Sequence, residues 1–208
     1  MPHPLFADQG GVATRQQLLA AGLSRHALAW QVSSGRWQRP LSGVYAGQSG
    51  ALSQLQWEWA ALLWAGAGAA LCGPTAAARD GLRGYEVEAI HVAIPTTRCL
   101  DVPKGAARKL VVVRSGRLGD GDVHPLATPR RTRLPRSIID TAALRPRPED
   151  AFAVIAAGVQ QRLVTPELLA AAIDSSGRLC HRAIFRAGVL DLLGGAQSLP
   201  ERDFLRIV

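Results

Sequence analysis

Lysine is nearly missing from this sequence. It supplies 2 of the 24 basic residues, and the other 22 are Arg. An imbalance of that kind follows composition bias, so it carries little functional weight. Cysteine is scarce too. Cys72, Cys99 and Cys180 are far apart, odd in number and without CxxC spacing, which excludes a disulfide scaffold and a Cys-rich zinc site and fits the reducing cytoplasm. The start, MPHPLFADQGG, has neither the basic nor the apolar region of a signal peptide. No P-loop, HExxH or GxSxG motif occurs. His3, His26, His91, His124 and His181 are scattered without metal-ligand spacing. The acid pairs Asp120/Asp122 and Glu86/Glu88 read as loop and strand-edge positions. The sequence therefore calls for no catalytic residue, no metal and no cofactor, and the expected protein is not an enzyme.

Charged residues make up only 19% of the chain and apolar ones 48%, enough to bury a core and too many for a disordered chain. One stretch, residues 59–78, has no charge at all. Its length would span a bilayer, yet Pro74 and Thr75 punctuate it, its second half is mostly Ala and Gly, and no basic cluster flanks it. It reads as a buried helix, a break and the start of a second helix, with no membrane partner.

The length, 208 residues, permits one large domain or two small ones. The formal charge of +8 is unevenly spread: +3 over residues 1–50, −2 over 51–97, +8 over 98–147 and −1 over 148–208. Such an excess attracts polyanions without specifying which, and it also suits a merely solvated surface.

The N-terminal segment is more specific. Thr14 reads as the N-cap of a helix over residues 15–21, with Gln17 completing a capping box. Leu18 and Leu19 face inward, and Gly22 supplies a left-handed terminus. Ser24 caps a second helix, from residue 25 to about 33, ended by Gly35. Two short helices joined by Ala-Gly-Leu-Ser read as helix-turn-helix. Residues 36–39 then form a short extended stretch, residues 40–43 a turn and residues 44–46 a strand, which together make a wing. Trp37 and Tyr45 are expected in the core. A recognition helix presents the polar residues of its first turn to base edges in the major groove. Ser24, Arg25 and His26 hold that turn, Gln31 and Ser33 follow, and Arg36 and Arg39 on the wing reach phosphate or the minor groove.

Further along, residues 52–66 read as a Trp-rich helix with a buried stripe of Leu55, Trp59, Leu62 and Leu63. A helix starts near Thr75, a proposed N-cap, and stops at Gly81. Residues 89–94 and 109–113 read as strands, and His91 as a structural residue. The basic loop with Arg130, Arg131 and Arg133 leads to a helix over residues 137–143; it could cross a DNA backbone or lie solvated without a partner. Residues 148–158 form a helix with Glu149 and Asp150 at its positive end, and Thr165 caps another with Pro166 at its first position. A further apolar helix follows Gly177, and Ser198 opens a last one.

The stretch GGVATRQQLLAAGLSRHALAWQVSSGRWQRPLSGVYA resembles the N-terminal winged helix of AbiEi-type antitoxin proteins of bacteria. The likeness continues through TAAARDGLRG, IHVAIP, LATPRRTRLPRSIIDTAA and QQRLVTPELLAA, to about Leu193. Asp80 stands where the family often has His, and Ser137-Ile138-Ile139-Asp140 where it usually has Thr-Leu-Leu-Asp. The resemblance implies binding to double-stranded DNA at promoter repeats and a cognate toxin protein as partner. In many relatives a nuclease-like domain similar to very-short-patch-repair endonucleases comes next, and Ser198 and Glu201 match its start. The rest of that domain is missing here, and Glu201 alone cannot position a metal and water.

The expected fold class is α+β: an N-terminal winged helix-turn-helix over residues 1–48, a mixed α/β companion domain with a helical C-terminal part over 49–195, and the truncated start of a nuclease-like domain over 196–208. The expected function is a DNA-binding transcriptional regulator or antitoxin-like protein. Two alternatives stay open: the targeting portion of a truncated endonuclease, and a protein-interaction module with no DNA role. The sequence leaves the oligomeric state open.

Overall fold

A computed structural model describes Phe6 and residues 8–102, 107–177 and 179–193. Ser198 and Glu201, with the proposed nuclease-like start, lie outside the described residues. The chain divides into two compact units, Met1–Leu71 with Glu88–Arg131, and Cys72–Val87 with Thr132–Val208. The boundary expected after residue 48 falls inside the first unit.

The first unit opens with strand β1 (Val12–Thr14), helix α1 (Arg15–Ala20), helix α2 (Arg25–Ser33) and strands β2 (Gln38–Leu41) and β3 (Val44–Ala46). The cap chemistry read from the sequence is present. The Thr14 hydroxyl accepts from the Gln17 backbone N–H at 3.1 Å, and the Gln17 carboxamide accepts from the Thr14 N–H at 2.8 Å. Ser24 accepts from Ala27 N–H at 3.1 Å. Gly22 and Gly35 have φ of +92° and +68°, values that glycine adopts without strain.

Two details of the wing differ from expectation. Pro40 and Leu41 belong to β2, so only Ser42 and Gly43 make the turn, a two-residue connection of the length that β-hairpins favour. The extended stretch correspondingly begins at Gln38. The sheet also has a third strand that the sequence did not reveal. β1 pairs antiparallel with β3 in the order β1-β3-β2. Three residues are too short for periodicity to register.

Phe6, Ala13, Leu18, Leu28 and Tyr45 form the core of this region, with Leu19, Leu23, Val32 and Trp37 packed against it. Phe6 and Trp37 meet edge to face at 5.0 Å. Trp37 and Tyr45 are thus core residues, as expected. So small a core gains from a neighbour, and helix α3 (Gln54–Ala65) packs against β1, β2 and β3. The Ser53–Gln56 pair caps α3 with a second capping box. Its buried residues are Gln56, Glu58, Ala60, Ala61, Leu62 and Ala65. The stripe expected from Leu55, Trp59 and Leu63 is only half-buried. Alanines let the helix lie close to two sheets, because α3 also packs on strand β5 (Ile90–Pro95). There β4 (Ala70–Leu71) pairs antiparallel with β5, and β5 pairs parallel with β6 (Leu110–Ser115).

The second unit is helical: α4 (Gly73–Arg79), α5 (Leu134–Ala142), α6 (Pro148–Gln160), α7 (Pro166–Ser175) and α8 (Arg182–Leu193). The cap of α4 is Cys72 rather than Thr75, which lies buried inside the helix. Helix α5 starts at Leu134, with Pro135 in its first turn, earlier than expected. Ser137 is buried and shares a 2.7 Å hydrogen bond with the Thr132 hydroxyl. Ile138, Ile139, Ile155, Leu169, Ile173 and Phe185 fill the core. A Cβ on Gly188 would come within 2.2 Å of the Phe152 ring, and one on Gly158 within 2.7 Å of Ile138, so both glycines allow close helix approach.

Candidate nucleic-acid interface

Helix α2 owes its orientation to Leu28, 2% exposed against the module core. At about 100° per residue, His26, Ala29, Trp30 and Ser33 point away from Leu28, while Arg25, three residues before it, lies about 60° off its line; all five are exposed. Ser24 is exposed at the start of the helix; its oxygen accepts in the cap, which leaves its hydroxyl free to donate. No acidic residue lies in the first turn of α2, so nothing offsets the positive end of the helix dipole there. Gln31 is on the other side of the helix, half-buried. Its carbonyl accepts from the N–H groups of Arg36 and Trp37 at 3.1 and 3.0 Å, so its backbone fixes the entry to the wing.

The wing carries the other two arginines of the expected site. Arg36 and Arg39 are both exposed. Arg39 donates to the Ser42 hydroxyl at 3.3 Å. The Arg36 guanidinium lies over the Trp30 ring, 4.6 Å from its centroid. Arg15, at the start of α1, is also exposed, and its backbone N–H donates to the Gly43 carbonyl at 2.7 Å, which places it beside the wing turn. Among residues 8–50 every arginine is therefore exposed, against one acid, Asp8. None of the four forms an ion pair with an acid among the described residues.

The middle arginines are placed differently. Arg130 is exposed and reaches the Leu118 carbonyl at 3.4 Å. Arg131 is half-buried, donates to the Pro129 carbonyl at 3.2 Å and bridges to Leu71 beside β4. Arg133 is exposed but belongs to the second unit, where its backbone caps α5. The structure thus leaves Ser24, Arg25 and His26 exposed in the first turn of α2, and Arg36 and Arg39 exposed on the wing that follows it. Arg130 and Arg131 sit on a separate loop, Arg133 in the other unit, and the Gln31 side chain on the inward half of α2. Sequence reasoning missed Arg15 and Trp30. The signal for Arg15 was its first-turn position in α1. That for Trp30 was its spacing of two from Leu28, which sets it off the buried line.

Outside the module, burial shifts two groups, Cys72 and His91. Burial, with Asp140 nearby, pushes the Cys72 thiol up, which leaves it unreactive. Burial lowers His91, whose Nδ1 meets the Ala89 carbonyl at 3.2 Å. Among the described residues no cluster of three or more His, Cys, Asp or Glu could hold a metal ion, and no helix is long and apolar enough to cross a membrane.

The order strand, helix, turn, helix, two-stranded wing defines a winged helix-turn-helix within an α+β chain. Residues 4–46 match a family described as transcriptional regulator, AbiEi antitoxin. No protein of curated function matches the sequence. A solved structure similar to this one is the RV2827C protein from Mycobacterium tuberculosis. It has 20% identity and a TM-score of 0.52, over 94% of this chain and 80% of that one. At that identity the likeness speaks for the fold.

Proposed function

We propose that the chain is a regulator of the antitoxin type that binds double-stranded DNA through residues 1–48. One observation carries the reading: all four arginines of the module, carried by α1, α2 and the wing, are exposed and free of acidic partners among the described residues. Helix α2 enters the major groove with its first turn leading. Ser24, Arg25 and His26 face base edges, while Arg36 and Arg39 hold phosphates. Arg15 adds a phosphate contact beside the wing turn. Arg130, Arg131 and Arg133 serve as supplementary phosphate contacts, and Gln31 acts through the backbone that launches the wing. The match of residues 4–46 to antitoxin regulators supports this reading, as does the first turn of α2, empty of acids.

In this reading the protein is cytoplasmic, performs no catalysis, and has a cognate toxin as its protein partner. The test is a titration of the full chain with a labelled duplex from upstream of its own gene, at about 50 and 200 mM salt. Neutralising several phosphates gives a log–log salt slope of about −0.9 per contact. A slope between about −4 and −6 is expected. Affinity indifferent to salt would remove the reading. For the toxin, co-expression with the product of the neighbouring gene is expected to yield a stable complex on gel filtration, and separate elution would remove that part.

A further inference from the structure

We propose that Trp30 is a positioning residue for the wing: its indole holds the Arg36 guanidinium in place for a DNA phosphate before the duplex arrives. This rests on the DNA-binding reading above and adds to it how the wing is made ready.

Trp30 is 52% exposed, although its helix has a core to turn toward. A large apolar ring left in solvent on the proposed recognition face needs a reason, and the guanidinium above it supplies one. The backbone brings the pair together. Ser34 N–H donates to the Trp30 carbonyl at 2.8 Å, and the Ser33 hydroxyl reaches the same carbonyl at 3.2 Å. Gly35 then turns the chain through a positive φ of 68°. Arg36 N–H closes onto the Gln31 carbonyl, so residue 36 returns over residue 30. On its other side Trp37 is anchored on Phe6. The Arg36 backbone is pinned at both ends, and the indole confines what remains free, the side chain.

A free arginine loses considerable rotamer entropy when it grips a phosphate. A guanidinium already settled on an aromatic face has surrendered part of that freedom in the unbound state, so binding forfeits less. The cation–π contact engages the indole face, and among the described residues no hydrogen-bond acceptor takes up the N–H donors of the Arg36 guanidinium. Those donors form the planar fork that fits a phosphate in two-point contact. An acid partner would have consumed the same fork and cancelled its charge. The aromatic ring restrains it without doing either.

The experiment has two parts on the full chain. In the free protein, NMR of the Arg36 side chain is expected to show its δ protons shifted upfield by the indole ring current, a shift that Trp30→Leu abolishes and Trp30→Phe largely keeps. With the labelled upstream duplex, Trp30→Leu is expected to weaken binding about two- to fivefold, Trp30→Phe to stay close to wild type, and Trp30→Leu to add nothing in an Arg36→Ala background. Thermal melting of each variant checks that the fold persists, as expected for an exposed position. The proposal is overturned if the free protein lacks the upfield shift, or if Trp30→Leu leaves affinity unchanged or weakens binding equally with and without Arg36. If the shift is present but the wild-type chain binds no duplex, the DNA-binding reading fails and takes this one with it, a result distinct from the preceding ones.

Discussion

Arginine meets two fates in this molecule. In the winged-helix module Arg15, Arg25, Arg36 and Arg39 stand exposed, restrained by an indole ring or a serine hydroxyl where they are restrained at all. In the helical unit several are matched. Arg136 grips both oxygens of Asp140 at 2.8 Å, Arg147 pairs with Asp150 at 2.8 Å, and Arg186 pairs with Asp174 at 3.0 Å. Arg182 spends its fork on the carbonyls of Ile173, Ser176 and Gly177. Acids at helix starts occur in the helical unit alone among these helices, although its α4, α5 and α8 also open without one. Helices α6 and α7 open with Glu149, Asp150 and Glu167, which complement the dipole, while α1 and α2 open with no acid. One region uses its charge to hold itself together, and the other leaves it facing outward. In the proposed reading that difference, more than the net charge, separates a scaffold from an interface.

The largest expected effect exposes what the helical unit rests on. Phe185→Ala removes a fully buried ring from its core and is expected to destabilise by about 3–5 kcal/mol in urea unfolding. Arg25→Ala is expected to change stability by less than about 0.5 kcal/mol. Equal losses would mean that Arg25 has a structural role. Duplex affinity then separates the arginines themselves. Arg25→Ala is expected to weaken it about tenfold, while Arg147→Ala, removing an exposed paired charge, changes it less than about twofold. Similar losses from both would reduce the distinction to net charge.

Much of this contrast was readable beforehand, because caps are local chemistry. Thr14 with Gln17, Ser24, Gly22, Gly35, and Thr165 with Pro166 act within three or four residues, and each falls where its residue type predicts. What stayed hidden depends on partners distant in sequence. Strand β1 exists because β3 lies beside it. Helix α3 buries alanines rather than its tryptophans because two sheets press on it. The charge count placed the greatest excess at residues 98–147, yet Arg117, Arg136 and Arg147 of that segment are paired with acids. The stacking of Arg36 on Trp30 needed the turn geometry at Gly35, which residue spacing alone does not give.

The smallest expected effect concerns His91, in β5 of the first unit. Its folded value is held below the usual one by burial, so the unfolded chain takes up a proton that the folded chain refuses. Stability is then expected to fall as pH drops through the ordinary histidine value of about 6.5, levelling off below the folded value. Unfolding free energies at about pH 7.5 and 5.5 check it, and His91→Gln is expected to flatten the dependence. An unchanged dependence in the variant would assign the acid sensitivity to other groups.

The central claim is that the outward arginines of the winged helix meet DNA phosphates and bases. The most direct measurement is the salt dependence of duplex binding by the Arg25→Ala/Arg36→Ala/Arg39→Ala chain against wild type. Losing three cationic contacts is expected to reduce the log–log slope by about 2 to 3 units, with affinity lower by roughly a hundredfold or more at low salt. An unchanged slope and affinity in a folded triple variant would contradict the account.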